Sequence, residues 1–107
     1  MADYQPVLRT PELGPGEMRE VHARETTLLL ANVGQTYYAL DARCPEHGTN
    51  LAREGRLEGY LLVCPIDGAA YDLRTGAQAG SPDGPRLRRY AIRVEENQIK
   101  VGPPLEG

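Results

Sequence analysis

The sequence of 107 residues contains neither phenylalanine nor tryptophan, and tyrosine, with six residues, is the only one of these three aromatic types present. Valine, leucine, isoleucine and tyrosine must therefore supply most of the core, in a chain that is 40% apolar. A chain of this length can bury one modest core but not two, so we expect a single domain over residues 1–107 with its core over about 4–101. A largely aliphatic core of this size favours a small β sandwich.

Long apolar runs and concentrated positive charge are also missing. No run approaches the ~20 residues that span a bilayer, and the first ten residues lack the apolar segment of a signal peptide. The formal net charge is -3, and lysine and arginine are scattered rather than gathered into a stripe that would neutralise phosphates. We therefore expect a cytoplasmic protein whose partners include neither nucleic acid nor membrane.

Cysteine is scarce too, because the two cysteines are too few for a disulfide framework. In a reducing cytosol, a spaced pair of cysteines is more often metal-binding or redox-active than structural. The sequence has no Ser-His-Asp set, phosphate-binding loop or paired-acid cleft, so we predict that the chain is not an enzyme by itself. Its chemistry is expected at the cysteines.

Glycine and proline are abundant, with twelve and nine residues, and they divide the sequence into short segments. No segment has a sustained helical apolar stripe, so the sequence predicts an all-β, antiparallel sandwich or small barrel with nine or ten strands. It also predicts no helix longer than two turns, and hairpin turns at 32–35 and 95–97. The predicted strands are residues 5–8, 18–23, 26–32, 36–41, 56–58, 60–63, 70–73, 86–94 and 98–101.

Two segments rich in glycine, proline and small residues each begin with Cys-Pro directly after a predicted strand. Residues 44–51 read CPEHGTNL, and residues 64–76 read CPIDGAAYDLRTG. Proline stiffens such loops, and glycine allows the positive φ and close backbone approach that loops wrapped around a metal group need. We expect the two loops to lie side by side at one end of the molecule.

The two loops resemble the pattern of the Rieske family, C-P-H-x-G-x-x-L followed, about 17 residues after the histidine, by C-P-x-H-G-x-x-[FY]-D-x-x-[ST]-G. Seventeen residues separate Glu46 from Cys64, and the framing residues match, including Tyr71 and Asp72. The resemblance implies a [2Fe-2S] cluster with two thiolates on one iron and two imidazoles on the other. It puts Cys44 and Cys64 at the thiolate positions, and it implies a hydrogen bond from the Tyr71 hydroxyl to a cysteine sulfur.

The two histidine positions of that pattern are occupied by Glu46 and Asp67. Carboxylates can ligate ferric iron, but two anionic ligands in place of neutral imidazoles add negative charge and disfavour the reduced cluster. His47 lies one position beyond the expected ligand and would reach the site if the first loop slipped by one residue. The candidate ligands are therefore Cys44 and Cys64 together with two of Glu46, His47 and Asp67.

Three interpretations of these loops stay open at the level of sequence. In the first, which we predict, a [2Fe-2S] cluster makes the domain a ferredoxin-like carrier of single electrons to or from a redox partner, a reductase or an oxygenase. In the second, the domain holds no cluster and serves as an interaction or accessory subunit. In the third, Cys44, Cys64, His47 and a carboxylate such as Asp67 hold a single metal ion tetrahedrally.

Overall fold

The structure, a computed structural model, describes residues 4–23 and 25–105. Short antiparallel strands dominate this part of the chain, as predicted, and no helix within it is long and apolar enough to cross a bilayer. The helical elements found there are one turn of α-helix, α1 (Leu51–Glu54), and a 3-10 turn (Thr10–Glu12). The strands are β1 (Gln5–Arg9), β2 (Met18–Ala23), β3 (Thr26–Val33), β4 (Thr36–Asp41), β5 (Arg56–Glu58), β6 (Leu61–Val63), β7 (Ala70–Asp72), β8 (Ala77–Gln78), β9 (Ser81–Arg86), β10 (Arg89–Glu95) and β11 (Gln98–Pro104).

The strands form two antiparallel sheets. The order in the six-stranded sheet is β1-β11-β10-β4-β3-β2, and the order in the five-stranded sheet is β5-β6-β7-β8-β9. Gly34 and Gln35, both at positive φ, form the tight turn between β3 and β4, and Glu96 and Asn97 do the same between β10 and β11. Two-residue turns with positive φ at both positions match the twist of a hairpin, so both predicted hairpins are confirmed.

Strand β3 is buried on both faces. Consecutive residues of this strand are buried, and successive side chains of a strand point to opposite sides. Leu29 and Ala31 join one core to which both sheets contribute, and Leu28 and Leu30 join a second core inside the six-stranded sheet. The edge strands β1 and β2 of that sheet contact each other, so the sheet curls towards a barrel around its own core. The first core, which we call the cysteine core, contains Leu29, Ala31, Leu40, Ala42, Cys44, Leu51, Leu62, Cys64, Tyr71, Leu73 and Leu87.

The described residues contain eleven strands, whereas the sequence predicts nine or ten. Strands β8 and β9 were expected as loop, and the strand predicted over 86–94 begins three residues later, as β10. The sequence SPDGPR of β9 has two prolines and a glycine, residues that weaken a strand in the middle of a sheet. Proline is tolerated in this strand because β9 lies at the edge of its sheet.

Gly76 and Gly80 both have a positive φ, but only Gly76 is closely surrounded by other atoms, so substitutions at the two positions distinguish backbone strain from steric crowding. Gly76 and Gly80 have φ of 80° and 82°, but a Cβ on Gly76 would lie 2.2 Å from the Leu87 carbonyl oxygen, whereas one on Gly80 meets nothing within 4 Å. We expect Gly80→Ala to lower the free energy of unfolding by about 1 kcal/mol and Gly76→Ala by about 3 kcal/mol, measured by urea unfolding. Equal losses would contradict the crowding at Gly76.

Candidate functional site

The two Cys-Pro loops share one backbone design. In each loop the cysteine N–H donates to the carbonyl oxygen five residues later, and the glycine N–H four residues after the cysteine donates to the cysteine carbonyl oxygen. Gly48 and Gly68 close these turns at φ of 70° and 75°, where only glycine is free of strain. The bonds, 2.8 to 3.0 Å long, run from Cys44 to Thr49, Gly48 to Cys44, Cys64 to Ala69 and Gly68 to Cys64.

The residues flanking each loop are also equivalent. Arg43 forms an antiparallel bridge with Asn50 across the first loop, and Val63 pairs in the same way with Ala70 across the second. Asn50 then caps α1, because its side-chain oxygen accepts hydrogen bonds from the first backbone N–H groups of the helix. The two loops are therefore held by the same geometry, which gives His47 and Asp67 equivalent positions, each three residues after its cysteine.

The thiols of Cys44 and Cys64 form the inner half of the site. Both are free and buried in the cysteine core. Burial raises the pKa of the Cys64 thiol and the adjacent Cys44 raises it further, whereas backbone N–H groups of Ile66 and Asp67 donate to the sulfur and lower it. Such donors would stabilise a thiolate once a metal replaced the thiol proton.

The hydroxyl of Tyr71 completes the inner half. It lies 3.8 Å from the Cys44 Sγ, within hydrogen-bonding distance of sulfur, and the tyrosine is fully buried. Burial raises the pKa of Tyr71, and the nearby Cys44 raises it further, so the phenol keeps its proton. The contact implied by the family resemblance is therefore present.

The side chains of His47 and Asp67 form the outer half, and they meet across the two loops. The His47 Nε2 lies 3.1 Å from the Asp67 Oδ2, with 38% and 36% of the two side chains exposed. The backbone N–H of Ala69 donates to the other carboxylate oxygen and, more than His47 does, lowers the pKa of Asp67. Asp67 is therefore held ionised and oriented towards the first loop.

The side-chain donors can be compared with the geometry that a metal site requires. Two ligands of a tetrahedral metal with bonds of ~2.1 Å lie about 3.4 Å apart, close to the 3.1 Å between His47 Nε2 and Asp67 Oδ2. Among residues 4–23 and 25–105, no group of three or more His, Cys, Asp or Glu side chains is placed to hold one metal ion. A [2Fe-2S] cluster takes two protein ligands on each iron, and the chain offers two buried thiols and the His47–Asp67 pair.

Glu46 stands apart from both pairs. The sequence pattern puts it at a histidine position, but its side chain is exposed, and its charge adds to the rise in the pKa of Tyr71. The structure brings His47, one position further along, to Asp67 instead. The sequence analysis did not identify the backbone donors at Ile66, Asp67 and Ala69, because their direction depends on the shape of the turn, which only Gly68 signals in the sequence.

The protein has two antiparallel sheets, and its paired Cys-Pro loops carry buried thiols. These features define a class of small β domains that hold a metal group between two loops. The chain belongs to the Rieske [2Fe-2S] domain family, which it matches over residues 3–91. This confirms the family expected from the loop pattern.

Ferredoxin components of dioxygenase systems are among its relatives. Ferredoxin CarAc of Metapseudomonas resinovorans is 31% identical over 96 residues, covering 89% of each chain. The ferredoxin component of biphenyl 2,3-dioxygenase from Rhodococcus jostii (strain RHA1) is 30% identical over 96 residues, covering 90% of this chain and 87% of the relative. A solved complex of reduced oxygenase and oxidized ferredoxin in carbazole 1,9a-dioxygenase contains a chain with TM-score 0.85 and 28% identity, over 96% of this chain and 97% of that one.

The neighbouring thiols generate a prediction for the iron-free protein. We expect purification in air to give a Cys44–Cys64 disulfide, in which dioxygen accepts the two electrons and two protons that the thiols lose. The family arrangement implies that the two Cα atoms lie within the ~4.4 to 6.8 Å that a disulfide spans. Mass spectrometry after alkylation of the unfolded protein should find no free thiol, with Cys64→Ser as the control that keeps one.

Two alkylated cysteines in the air-exposed, iron-free parent protein would contradict this prediction. Reduction with dithiothreitol before alkylation should restore both thiols and so distinguish a disulfide from irreversible oxidation.

Proposed function

We propose that this protein is a ferredoxin-like carrier of single electrons that holds a [2Fe-2S] cluster between its two Cys-Pro loops. The observation that supports it most is the pairing of donors, with two buried thiols on the inside and the His47–Asp67 pair, 3.1 Å apart, on the outside. Cys44 and Cys64 would hold one iron, and His47 and Asp67 the other. When bound, the group accepts and releases one electron.

The residues around the thiols prepare the site for anionic sulfur. The N–H groups of Ile66 and Asp67 donate to Cys64, and the Tyr71 hydroxyl faces Cys44. Hydrogen bonds to the sulfurs favour the reduced state because they offset added negative charge. The aliphatic core behind the cysteines excludes water from this half of the site.

The carboxylate of Asp67 acts in the opposite direction. It is ionised and exposed to solvent over about a third of its surface. An anionic ligand in place of a neutral imidazole disfavours an added electron, so the reduction potential should lie below that of a site with two cysteine and two histidine ligands.

A redox partner protein is part of the proposal. Relatives that match nearly the whole chain include a ferredoxin and the ferredoxin component of biphenyl 2,3-dioxygenase, and one similar solved chain belongs to a complex of an oxygenase with its ferredoxin. We infer that this chain delivers electrons to an oxygenase in the cytoplasm. Catalysis would then belong to the partner.

One observation favours a second candidate function. The His47 ring and the Asp67 carboxylate form a direct hydrogen bond, and this contact joins the two loops without any metal. A Rieske-fold accessory subunit that holds no cluster would keep the same loop geometry through this pair. The two candidates differ in whether the purified protein takes up iron and sulfide.

Reconstitution with iron and sulfide tests the proposal. We expect the parent protein to take up two irons and to give visible absorption and, after reduction, an electron paramagnetic resonance signal. Asp67→His, which leaves His47 in place, should give the signal of a site with two cysteine and two histidine ligands at a higher reduction potential, and so should the double variant Glu46→His and Asp67→His, which has the histidines of the family pattern. Cys44→Ser is the control that should lose the uptake.

The outcomes separate the two candidates. Iron uptake by the double variant alone would overturn the ligand role of His47 and Asp67, and uptake by neither protein would favour the accessory subunit. Unchanged uptake in His47→Ala and Asp67→Ala would likewise exclude the outer pair as ligands.

A further inference from the structure

Three arginines gather where β9 ends and β10 begins, in a chain whose net charge is -3. Arg86, Arg88 and Arg89 line a cavity of about 350 Å³ together with a single carboxylate, that of Asp41. Arg88 and Arg89 alone give the cavity two positive charges against the single negative charge of Asp41, an excess that the composition of the whole chain hides.

The charges inside the cavity are only partly compensated. The Asp41 carboxylate accepts a hydrogen bond of 2.8 Å from the Tyr90 hydroxyl, and the Arg88 guanidinium also faces that hydroxyl. Within the part of the chain that the structure describes, no carboxylate forms an ion pair with Arg88 or Arg89. Two guanidinium groups are thus left to bind an anion from outside.

An aromatic cavity continues from the basic one. It measures about 190 Å³, is lined by Tyr37, Tyr38 and Tyr90, and shares Arg89 and Leu105 with the first cavity. Leu105 exposes 43% of its surface, so it offers apolar surface at the point where the two cavities meet. Tyrosine and arginine beside exposed apolar surface are the residues that dominate binding energy at protein interfaces.

The combined surface, which we call the basic groove, runs past the base of the second Cys-Pro loop. Thr75 lines the basic cavity and Leu73 the aromatic one, and both belong to the loop segment 64–76. The tip of that loop, where Ile66 is 59% exposed, is not among the lining residues. An occupant of the basic groove would therefore lie against the C-terminal part of this loop segment and leave the loop tip free.

We propose that the basic groove binds a segment of a partner protein in which glutamate or aspartate alternates with leucine or tyrosine. Carboxylates pair with Arg88 and Arg89, and the apolar side chains pack on the tyrosines and Leu105. The inference rests on the proposed function for the existence of a protein partner. Because binding needs the groove alone, it can be tested with the iron-free protein.

The probe is the capped peptide Glu-Leu-Glu-Tyr-Glu-Leu, which is titrated into ¹⁵N-labelled protein. The matched control is the same peptide with each glutamate replaced by glutamine. We expect shifts of the amide signals of Thr75, Arg89 and Leu105, and weaker binding at high salt. The double variant Arg88→Glu and Arg89→Glu should weaken binding about tenfold or more. Arg93→Glu, on the same strand but outside the groove, should change it less than about twofold.

Equal weakening by Arg93→Glu, or equal binding of the glutamine peptide, would overturn the inference. Inorganic phosphate that shifts the same amides and displaces the peptide at equal concentration would identify a small-oxyanion site instead and would also overturn it. Circular dichroism must show that each variant is folded. A protein that is reconstituted with iron but does not bind the peptide refutes this inference alone, whereas peptide binding without iron uptake refutes only the electron-carrier function.

Discussion

The site depends on the two hydrogen bonds that close each Cys-Pro loop. They fold six residues into a turn that the glycine at positive φ completes, and they do so in both loops with the same pairing. Since the flanking bridges are equivalent as well, each loop delivers its thiol inwards and the side chain three residues later outwards. Of those outward side chains, Asp67 also accepts a hydrogen bond from the Ala69 N–H and so takes part in its own turn, whereas His47 contacts the other loop.

Burial divides the site into halves with different electrostatics. The inner half is enclosed by aliphatic side chains, so a charge there depends on the few donors aimed at it, the N–H groups near Cys64 and the Tyr71 hydroxyl. The outer half is open to solvent, which screens the charge of Asp67. The same anionic ligand would disfavour an added electron more strongly in the inner half.

Much of the fold could be predicted from the sequence, because local signals coincide with the structure. The β2 and β4 boundaries and both hairpins follow from alternation and turn residues. Strand β9 could not be predicted, since its prolines are acceptable only at a sheet edge, and an edge is a property of the assembled sheet. Likewise the sequence identified His47 and Asp67 as candidates but could not pair them, because their contact depends on how two distant loops face each other.

Strand β3 has a consequence for motion. Its Leu29 and Ala31 pack beside the cysteines, while Leu28 and Leu30 pack in the other core, so the strand cannot shift to suit one core without disturbing the other. The backbone behind the thiols is thus clamped from two sides. When an electron is added to such a site, the surrounding dipoles are already oriented, and few atoms have to rearrange. Low reorganisation energy, the condition for fast electron exchange, would in this protein originate in a strand that lines neither cavity of the basic groove.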